Sequence, residues 1–336
     1  MKGVLLMQNA EKKWYIDSSG PKFFSLDVTG ACNFKCLHCY NDSGKKLEDE
    51  LTDEEIIDVA RQIAEFQPES VCLCGGETML RSNLLDIIRI LSEKVPAVNM
   101  VSNGSLFNEE KLIAIKEAGL STLQISLDGL NSMQHDTFRG VVGAFDKAVE
   151  SIKIAKKVGL GLYISFVPNK LNHETLIEYL DFCYGLGVDS VRIMPLIPMG
   201  RGSRIDSLLL STEEYCTLQL KILNYKEKLK GTSQMLEWGD PLDHYMRLPN
   251  NTINGYKSLT YEVKANGNIT VSTYLPLVVG NVRKHSLREY WENGYADIWE
   301  NPQVLDYIGR IKNIYDINNM EPKPYTGEYY YVNIME

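Results

Sequence analysis

Short apolar runs of β type alternate with stretches of helical period from residue 23 to residue 200. The predicted strands are Phe23–Val28, Ser70–Cys74, Ala97–Ser102, Thr122–Leu127, Leu162–Val167 and Ser190–Met194. Between them the period turns helical. Thr52-Asp53-Glu54-Glu55 is a capping box that opens a helix running to Phe66. Asn108 precedes a helix that stops at Gly119, the helix after Phe145 ends near Gly159, and the one after His173 ends near Gly185 or Gly187. Glycine at these exits suits the left-handed position just beyond a helix. Six β–α alternations imply a parallel sheet with right-handed crossovers. Length alone does not separate a partial (β/α)6 barrel from an open doubly wound sheet.

The alternation is expected to stop around Pro195–Gly200. A long helix opened by Thr212-Glu213-Glu214 reaches about Lys230, and a polar irregular stretch follows. Tyr261–Lys264 and Ile269–Thr273 flank Asn266-Gly267, the strongest short hairpin signal. Ser286-Leu287-Arg288-Glu289 is another capping box, and the tail carries Tyr325, Tyr329, Tyr330 and Tyr331. The expected division is a segment 1–22, an α/β unit 23–200 and a C-terminal region 201–336.

Composition adds exclusions. The hydrophobic fraction of 44% and charged fraction of 24% are those of a globular enzyme. A net charge of −9 argues against a nucleic-acid partner held by phosphate contacts. No stretch approaches the apolar length of a membrane span, and the opening apolar run ends at Gln8, too short for a signal peptide. Of seven cysteines three are clustered and four scattered, which is not a secreted disulfide framework. The expected location is the cytoplasm.

The clustered three, Cys32, Cys36 and Cys39, stand in a CxxxCxxC spacing directly after the first strand, where parallel α/β folds place their active sites. Three thiolates lack the fourth ligand of a closed structural site, which leaves a position for something exchangeable. Zinc with His38 as fourth ligand is the competing reading. Cys74-Gly75-Gly76-Glu77-Thr78 ends the second strand, with a carboxylate beside paired glycines that let a ligand approach the backbone. Ser102-Asn103-Gly104 ends the third strand, Ser126-Leu127-Asp128-Gly129 the fourth, and His135-Asp136-Thr137-Phe138-Arg139-Gly140 follows. Cys72 and Cys74 share one face of their strand and read as core cysteines first. Cys183 and Cys216 fall in predicted helices, where packing is the default.

These motifs, in this order, resemble the radical S-adenosylmethionine (SAM) superfamily, and within it the peptide-modifying SPASM/twitch-like branch. The resemblance implies a partial (β/α)6 TIM-type barrel with a small C-terminal α+β SPASM-like extension. It implies one [4Fe–4S] cluster on Cys32, Cys36 and Cys39, with His38 and Tyr40 beside it. SAM would chelate the remaining iron. By the same resemblance Gly75, Gly76 and Glu77 hold the methionine amino group, Ser102, Asn103 and Ser126 the ribose side, and Asp128 and Arg139 the rest, with Arg139 on the SAM carboxylate. Thr78 stands where the family often has proline. Pro198-Met199-Gly200-Arg201-Gly202 is similar to the linker that follows the barrel in SPASM enzymes, and residues 265–272 to the SPASM hairpin. Ser272 occupies a position where that family has a cluster-binding cysteine, and no cysteine follows Cys216. One cluster only is therefore expected.

The implied chemistry is reductive cleavage of SAM to a 5′-deoxyadenosyl radical, fed by an external one-electron donor such as flavodoxin or ferredoxin. The radical takes a hydrogen atom from a residue of a ribosomally made peptide, leaving a crosslink, a thioether or an epimerised centre. Cys216, or failing it Cys183, is the candidate hydrogen donor to the substrate radical. About 22 residues precede the first strand, fewer than an in-line winged-helix domain needs. Recognition is then expected from the barrel mouth, the C-terminal region or a separate leader-binding protein. The alternatives are a small-molecule radical SAM dehydrogenase or cofactor-biosynthesis enzyme, and a non-catalytic zinc or binding module.

Overall fold

A computed structural model describes residues 20–239, 257–320 and 329–335. The expected opening segment lies outside the described residues up to residue 19, as does Tyr325. All six predicted strands form: β1 (Phe23–Thr29), β2 (Ser70–Gly75), β3 (Ala97–Ser102), β4 (Thr122–Ser126), β5 (Gly161–Phe166) and β6 (Ser190–Ile193). The helices between them are α1 (Asp53–Phe66), α2 (Leu84–Ser92), α3 (Glu109–Glu117), the pair α4 (Ser132–Arg139) and α5 (Ala144–Val158), and α6 (Leu176–Gly185). The Thr52 capping box is made in full: Thr52 Oγ1 accepts from Glu55 N, and Glu55 Oε2 accepts from Thr52 N.

The alternation continues past residue 200. Helix α7 (Thr212–Leu229) leads to β7 (Met235–Trp238), which pairs parallel with β6. Only Leu236 of those four residues is fully buried, so the sequence offered too little periodicity to mark a strand there. The hairpin around Asn266-Gly267 forms as β8 (Thr260–Val263) and β9 (Asn268–Thr270), with Gly267 in the left-handed region at φ 82°. Strand β8 also pairs parallel with β1, so the C-terminal region continues the same sheet. Strands β10 (Leu277–Asn281) and β11 (Tyr330–Tyr331) extend it, and α8 (Leu287–Glu292) and α9 (Pro302–Gly309) pack beside it. The order is β11-β10-β9-β8-β1-β2-β3-β4-β5-β6-β7, with eight consecutive parallel strands from β8 to β7. Among the described residues β7 and β8 do not pair.

Each parallel strand has two unlike faces. Leu26, Val71, Leu73, Val98, Met100, Leu123, Ile125, Leu162, Ile164 and Val191 are fully buried against the helices. The residues between them on the other face are mostly polar: Ser25, Asp27, Cys72, Cys74, Asn99, Gln124, Ser126, Tyr163, Ser165 and Arg192, with Val101 the apolar exception. An ordinary all-parallel sheet is apolar on both faces. Here the inner face is polar, so the barrel interior is a lined cavity. Arg192 of β6 acts electrostatically on Cys72 of β2, four strands away, and only a curled sheet brings those strands to face each other.

Candidate active site

The loop after β1 carries Cys32, Cys36 and Cys39 as free thiols. Backbone bonds fix it: Cys32 N donates to Gly44 O at 2.8 Å and Leu37 N to Phe138 O at 3.0 Å. Arg201 crosses beneath it, with Nε donating to Cys36 O at 2.8 Å and Nη1 to Asp42 Oδ1 at 2.7 Å and Ser43 O at 2.8 Å. Phe34, Cys36 and Ala144 form a small apolar cluster against which Cys32, Cys39 and Val141 pack. Burial pushes the Cys32 thiol up to about 11 and raises Cys36 as well. Buried thiols of this kind ionise when the charge of a metal takes the place of their protons.

The donor set distinguishes the two metals under consideration. Among the described residues no three His, Cys, Asp or Glu side chains converge where a single ion could sit. His38 is engaged elsewhere: its ring stacks on Phe138 at 3.9 Å, and Nε2 lies 3.8 Å from Asp128 Oδ2. Burial, with Arg139 nearby, keeps His38 neutral. A tetrahedral zinc site with His38 does not fit. Three thiols on one short loop fit a multi-iron cluster, in which each sulfur takes a different iron.

The Gly75-Gly76-Glu77 segment packs on the exit of β1. Gly76 N donates to Thr29 O at 2.7 Å and Glu77 N to Ala31 O at 2.8 Å. A Cβ at Gly76 would lie 2.0 Å from Ala31 O, and one at Gly75, where φ is 123°, 2.3 Å from Thr29 O. The paired glycines therefore admit the backbone of the cysteine loop, a neighbour the sequence reading did not anticipate. Glu77 is fully buried. Its Oε1 accepts from Ser102 Oγ at 2.8 Å and Met79 N at 3.1 Å, and its Oε2 from Asn103 N at 2.8 Å. Burial raises its carboxyl, against the opposing pull of the bonds from Asn103 and Ser102. The Asn103 side chain donates to Asn33 Oδ1 at 2.9 Å, so strand ends β2 and β3 are tied to the cysteine loop.

A second buried polar cluster closes the opposite side. Asp128 Oδ1 accepts from Val167 N at 2.8 Å, and Arg139 Nη2 lies 2.5 Å from Asp128 Oδ2. Arg139 Nη1 reaches Cys36 Sγ at 3.8 Å, while its Nε is buried and has no partner among the described residues. The carboxylate that Arg139 meets here is that of Asp128, and its Nε stays unbonded among the described residues. His135 Nδ1 accepts from Asp128 N at 2.9 Å, and burial, then Arg139, holds its imidazole down at about 3. Asp136 caps the next turn by accepting from Gly143 N at 2.7 Å and Phe145 N at 2.8 Å. The His135–Gly140 block thus pins α4 to the end of β4 and to the cysteine loop. Ser126 is buried beside this cluster and accepts from Ser165 Oγ at 3.3 Å.

The fold gathers Cys32, Cys36, Cys39, His38, Glu77, Ser102, Asn103, Ser126, Asp128 and Arg139 at one end of the sheet. Tyr40 lies there too, its ring 5.8 Å from that of Tyr274. It does not bring Cys183 or Cys216 to them. Cys183 is fully buried in the core packed beneath α6, on the helix side of the sheet. Cys216 is exposed on α7, against the expectation of packing, because its helical position faces solvent. Sequence reasoning missed Arg201 as a clamp of the cysteine loop. It also missed the charged lumen, where Lys264 Nζ lies 3.3 Å from Asp27 Oδ2 and where Arg192 Nε and Glu262 Oε2 are buried without hydrogen-bond partners among the described residues. The signal was available: polar residues at every second position of strands in a parallel sheet.

Residues 26–183 match the Radical SAM superfamily. The chain carries a radical SAM domain. It is a radical SAM enzyme, and that superfamily's cofactors are a [4Fe–4S] cluster and SAM. Together they supply a carbon-centred radical by reductive cleavage of SAM. The AdoMet-dependent heme synthase of Methanosarcina barkeri is 26% identical, over 82% of this chain and 83% of the relative. The sporulation killing factor maturation protein SkfB of Bacillus subtilis is 26% identical, over 94% of this chain and 74% of SkfB. Among solved structures, Streptococcus suis SuiB bound to the precursor peptide SuiA superposes with a TM-score of 0.71 at 19% identity, covering 96% of this chain and 79% of SuiB, a likeness of fold. Among the described residues no helix is long and apolar enough to cross a membrane.

Proposed function

We propose that this enzyme belongs to the SPASM/twitch-like branch and abstracts a hydrogen atom from a residue of a ribosomally synthesised peptide. The observation that carries this reading is the polar lumen of the barrel, whose strands β7 and β8 do not pair among the described residues. The SkfB likeness, which runs through both the barrel and the C-terminal region, supports it. In this reading residues 23–200 carry the cofactor-binding strands of the barrel, and residues 201–336 add β7 and β8 to it and hold no cysteine after Cys216 to ligate an auxiliary cluster. Ser272, whose Oγ accepts from Tyr274 N at 3.3 Å, replaces a ligand cysteine. Cys32, Cys36 and Cys39 hold the cluster. Glu77 presents a buried carboxylate to the methionine ammonium, Ser126 stands at the ribose, and Arg139 offers Nε to the SAM carboxylate. A flavodoxin- or ferredoxin-type carrier supplies the electron in the cytoplasm.

The test is anaerobic co-expression with a short peptide encoded beside the gene, followed by mass spectrometry of the peptide. A mass change that disappears in Cys36→Ala supports the reading, and an unmodified peptide with SAM still cleaved rejects it. The second reading is a small-molecule enzyme acting on a tetrapyrrole, favoured by the heme synthase likeness and by the cationic Arg192 and Lys264 in the lumen. Turnover of a tetrapyrrole carboxylate by the reconstituted protein would replace the peptide reading with this one.

A further inference from the structure

Arg192 stands on β6 between Val191 and Ile193, which are fully buried on the helix side, so its side chain enters the lumen. Glu262 stands likewise on β8, between buried Tyr261 and Val263. Both enter the lumen incompletely bonded. Thr273 acts on the Glu262 carboxyl through its hydroxyl and its backbone N–H, but Oε2 is buried with no hydrogen-bond partner among the described residues. Arg192 Nε is buried in the same condition. Gly239, just past β7, makes room for it: a Cβ there would lie 3.1 Å from Arg192 Nε. Glu237 is in register beside Arg192 on β7 and yet forms no ion pair with it. Arg192 and Glu262 both act on Cys72 and both act on Tyr274, so they border one space. Cys72 belongs to the strand that ends in Gly75-Gly76-Glu77, which puts that space directly below the rim.

The charges around that space decide what it fits. On the inner face Arg192 and Lys264 stand among Asp27, Glu237 and Glu262. Lys264 Nζ is already engaged, at 3.3 Å from Asp27 Oδ2 and 3.0 Å from Thr273 Oγ1. Two cations among three carboxylates leave no surplus of positive charge, so a polycarboxylate would enter against the balance. A carboxylate ligand would bond Arg192 and leave Glu262 Oε2 without a donor. An ammonium would do the reverse. A neutral group that both accepts and donates serves the two together, and an amide is such a group. Its C=O accepts from a guanidinium and its N–H donates to a carboxylate, and each of these bonds is stronger than one between neutral partners. Burial raises the Glu262 carboxyl, while Lys264 and the two donors of Thr273 pull it back toward the charged form.

We propose that Arg192 and Glu262 form an amide-binding site in the barrel lumen, in which Arg192 donates to a carbonyl of the bound substrate and Glu262 Oε2 accepts from an N–H. The inference rests on the peptide reading above and deepens it by naming the group the lumen takes hold of. The amide belongs either to the peptide's main chain or to an asparagine or glutamine side chain. The two contacts need not fall on one amide, because an extended chain offers carbonyls and N–H groups in alternation. Tyr274 reaches the same space from the turn between β9 and β10, so the C-terminal region supplies both Glu262 and an aromatic neighbour for the bound segment. The site thus joins one strand of the first six to one strand of the C-terminal region, and neither part completes it alone.

The test is anaerobic calorimetry on the cluster-loaded, SAM-bound protein, with the short peptide encoded beside the gene as the probe. Two synthetic series accompany the parent peptide. In one, each main-chain N–H is methylated in turn. In the other, each Asn or Gln is replaced in turn by Leu and by the matching acid. Arg192→Met and Glu262→Met are each expected to weaken binding of the parent about tenfold, as loss of a hydrogen bond to a charged group does. Glu262→Gln, which keeps an oxygen to accept, should lose less. Arg192→Lys, which keeps the charge without the planar fork, should lose nearly as much as Arg192→Met. SAM binding is measured alongside to show that each variant is folded. One altered peptide should bind the wild type about tenfold more weakly than the parent does, and bind Glu262→Met no more weakly than the parent does. If it is an N-methylated peptide the N–H is main-chain, and if it is a Leu-substituted one the N–H is a side chain's; either result supports the site. Parent affinity unchanged in Arg192→Met and Glu262→Met overturns the site and leaves the peptide reading standing. Tighter binding of an acid-substituted peptide, lost in Arg192→Met, overturns the amide in favour of a carboxylate. A parent peptide that does not bind the wild type removes the peptide reading and this inference with it.

Discussion

The rim and the lumen are built from the same strands but by opposite rules. At the rim, charged groups are buried in loops and most are tied to one another: Glu77 by three donors, Asp128 by Arg139 and Val167 N, Asp136 by two amides, with Arg139 Nε, His38 Nδ1 and His135 Nε2 left unbonded among the described residues. In the lumen, groups project from the strands themselves, and Arg192 Nε and Glu262 Oε2 have no hydrogen-bond partner among the described residues. A buried polar group left unbonded costs stability, so a protein keeps one where something else is to bond it. The rim is thus a preorganised holder whose shape is fixed before a ligand arrives. The lumen is the part left for the substrate to complete.

If that division is right, the largest effect on stability comes from breaking the rim pair. Arg139→Met leaves Asp128 charged, fully buried and without its cation. Removing one partner of a buried ion pair typically costs about 3–5 kcal/mol. Urea unfolding should report that loss, and Arg139→Met combined with Asp128→Leu should recover most of it. A single-variant loss below about 1 kcal/mol, the range of an exposed pair, would mean that water already screens the rim.

A smaller effect separates the two regions by pH. His135 is neutral at its place beside Arg139, with Nδ1 occupied by Asp128 N and its imidazole held down at about 3, against 6.5 in the unfolded chain. Between those values the unfolded state binds a proton that the native state refuses, so stability rises with pH and falls as the solution is acidified. From pH 6.5 to 5 this single group accounts for a loss of about 1.6 kcal/mol. His135→Asn, which keeps an acceptor toward Asp128 N, should flatten the pH dependence of the unfolding midpoint across that window by the same amount. An unchanged slope would place the acid sensitivity outside the rim.

The two regions were also unequally legible in the sequence. The rim could be read because its residues stand in contiguous motifs directly after strands, and the six strand positions carried a clear apolar period. What those motifs do was less visible. Gly76 faces the backbone of Ala31, and His135 and Asp136 serve the local fold, which only three-dimensional packing reveals. The lumen was hidden because its residues are isolated in sequence, one every second position on strands far apart. The seventh parallel strand, Met235–Trp238, was hidden because its short run has a single buried side chain. The parity of Cys72 and Cys74 could be read from sequence, but the sign of the face it pointed to could not. That sign depends on whether the sheet curls, and Arg192 acting across the lumen on Cys72 decides it.

The smallest expected effect on stability is the sharpest test of the comparison. Arg192→Met removes a cation whose Nε is buried and unbonded and puts an unbranched apolar side chain of similar reach in its place. Nothing described in the structure loses a hydrogen bond by this change. Stability should therefore shift by less than about 1 kcal/mol, in either direction, because the group removed was already carrying its desolvation cost. Cluster loading and SAM binding, which depend on the rim, should stay at wild-type levels in iron analysis and calorimetry. Substrate turnover should fall, with the loss appearing in KM, if the guanidinium meets a substrate acceptor in the bound state. A variant that instead lost several kcal/mol on unfolding would make Arg192 a structural group, and the lumen would then obey the same rule as the rim.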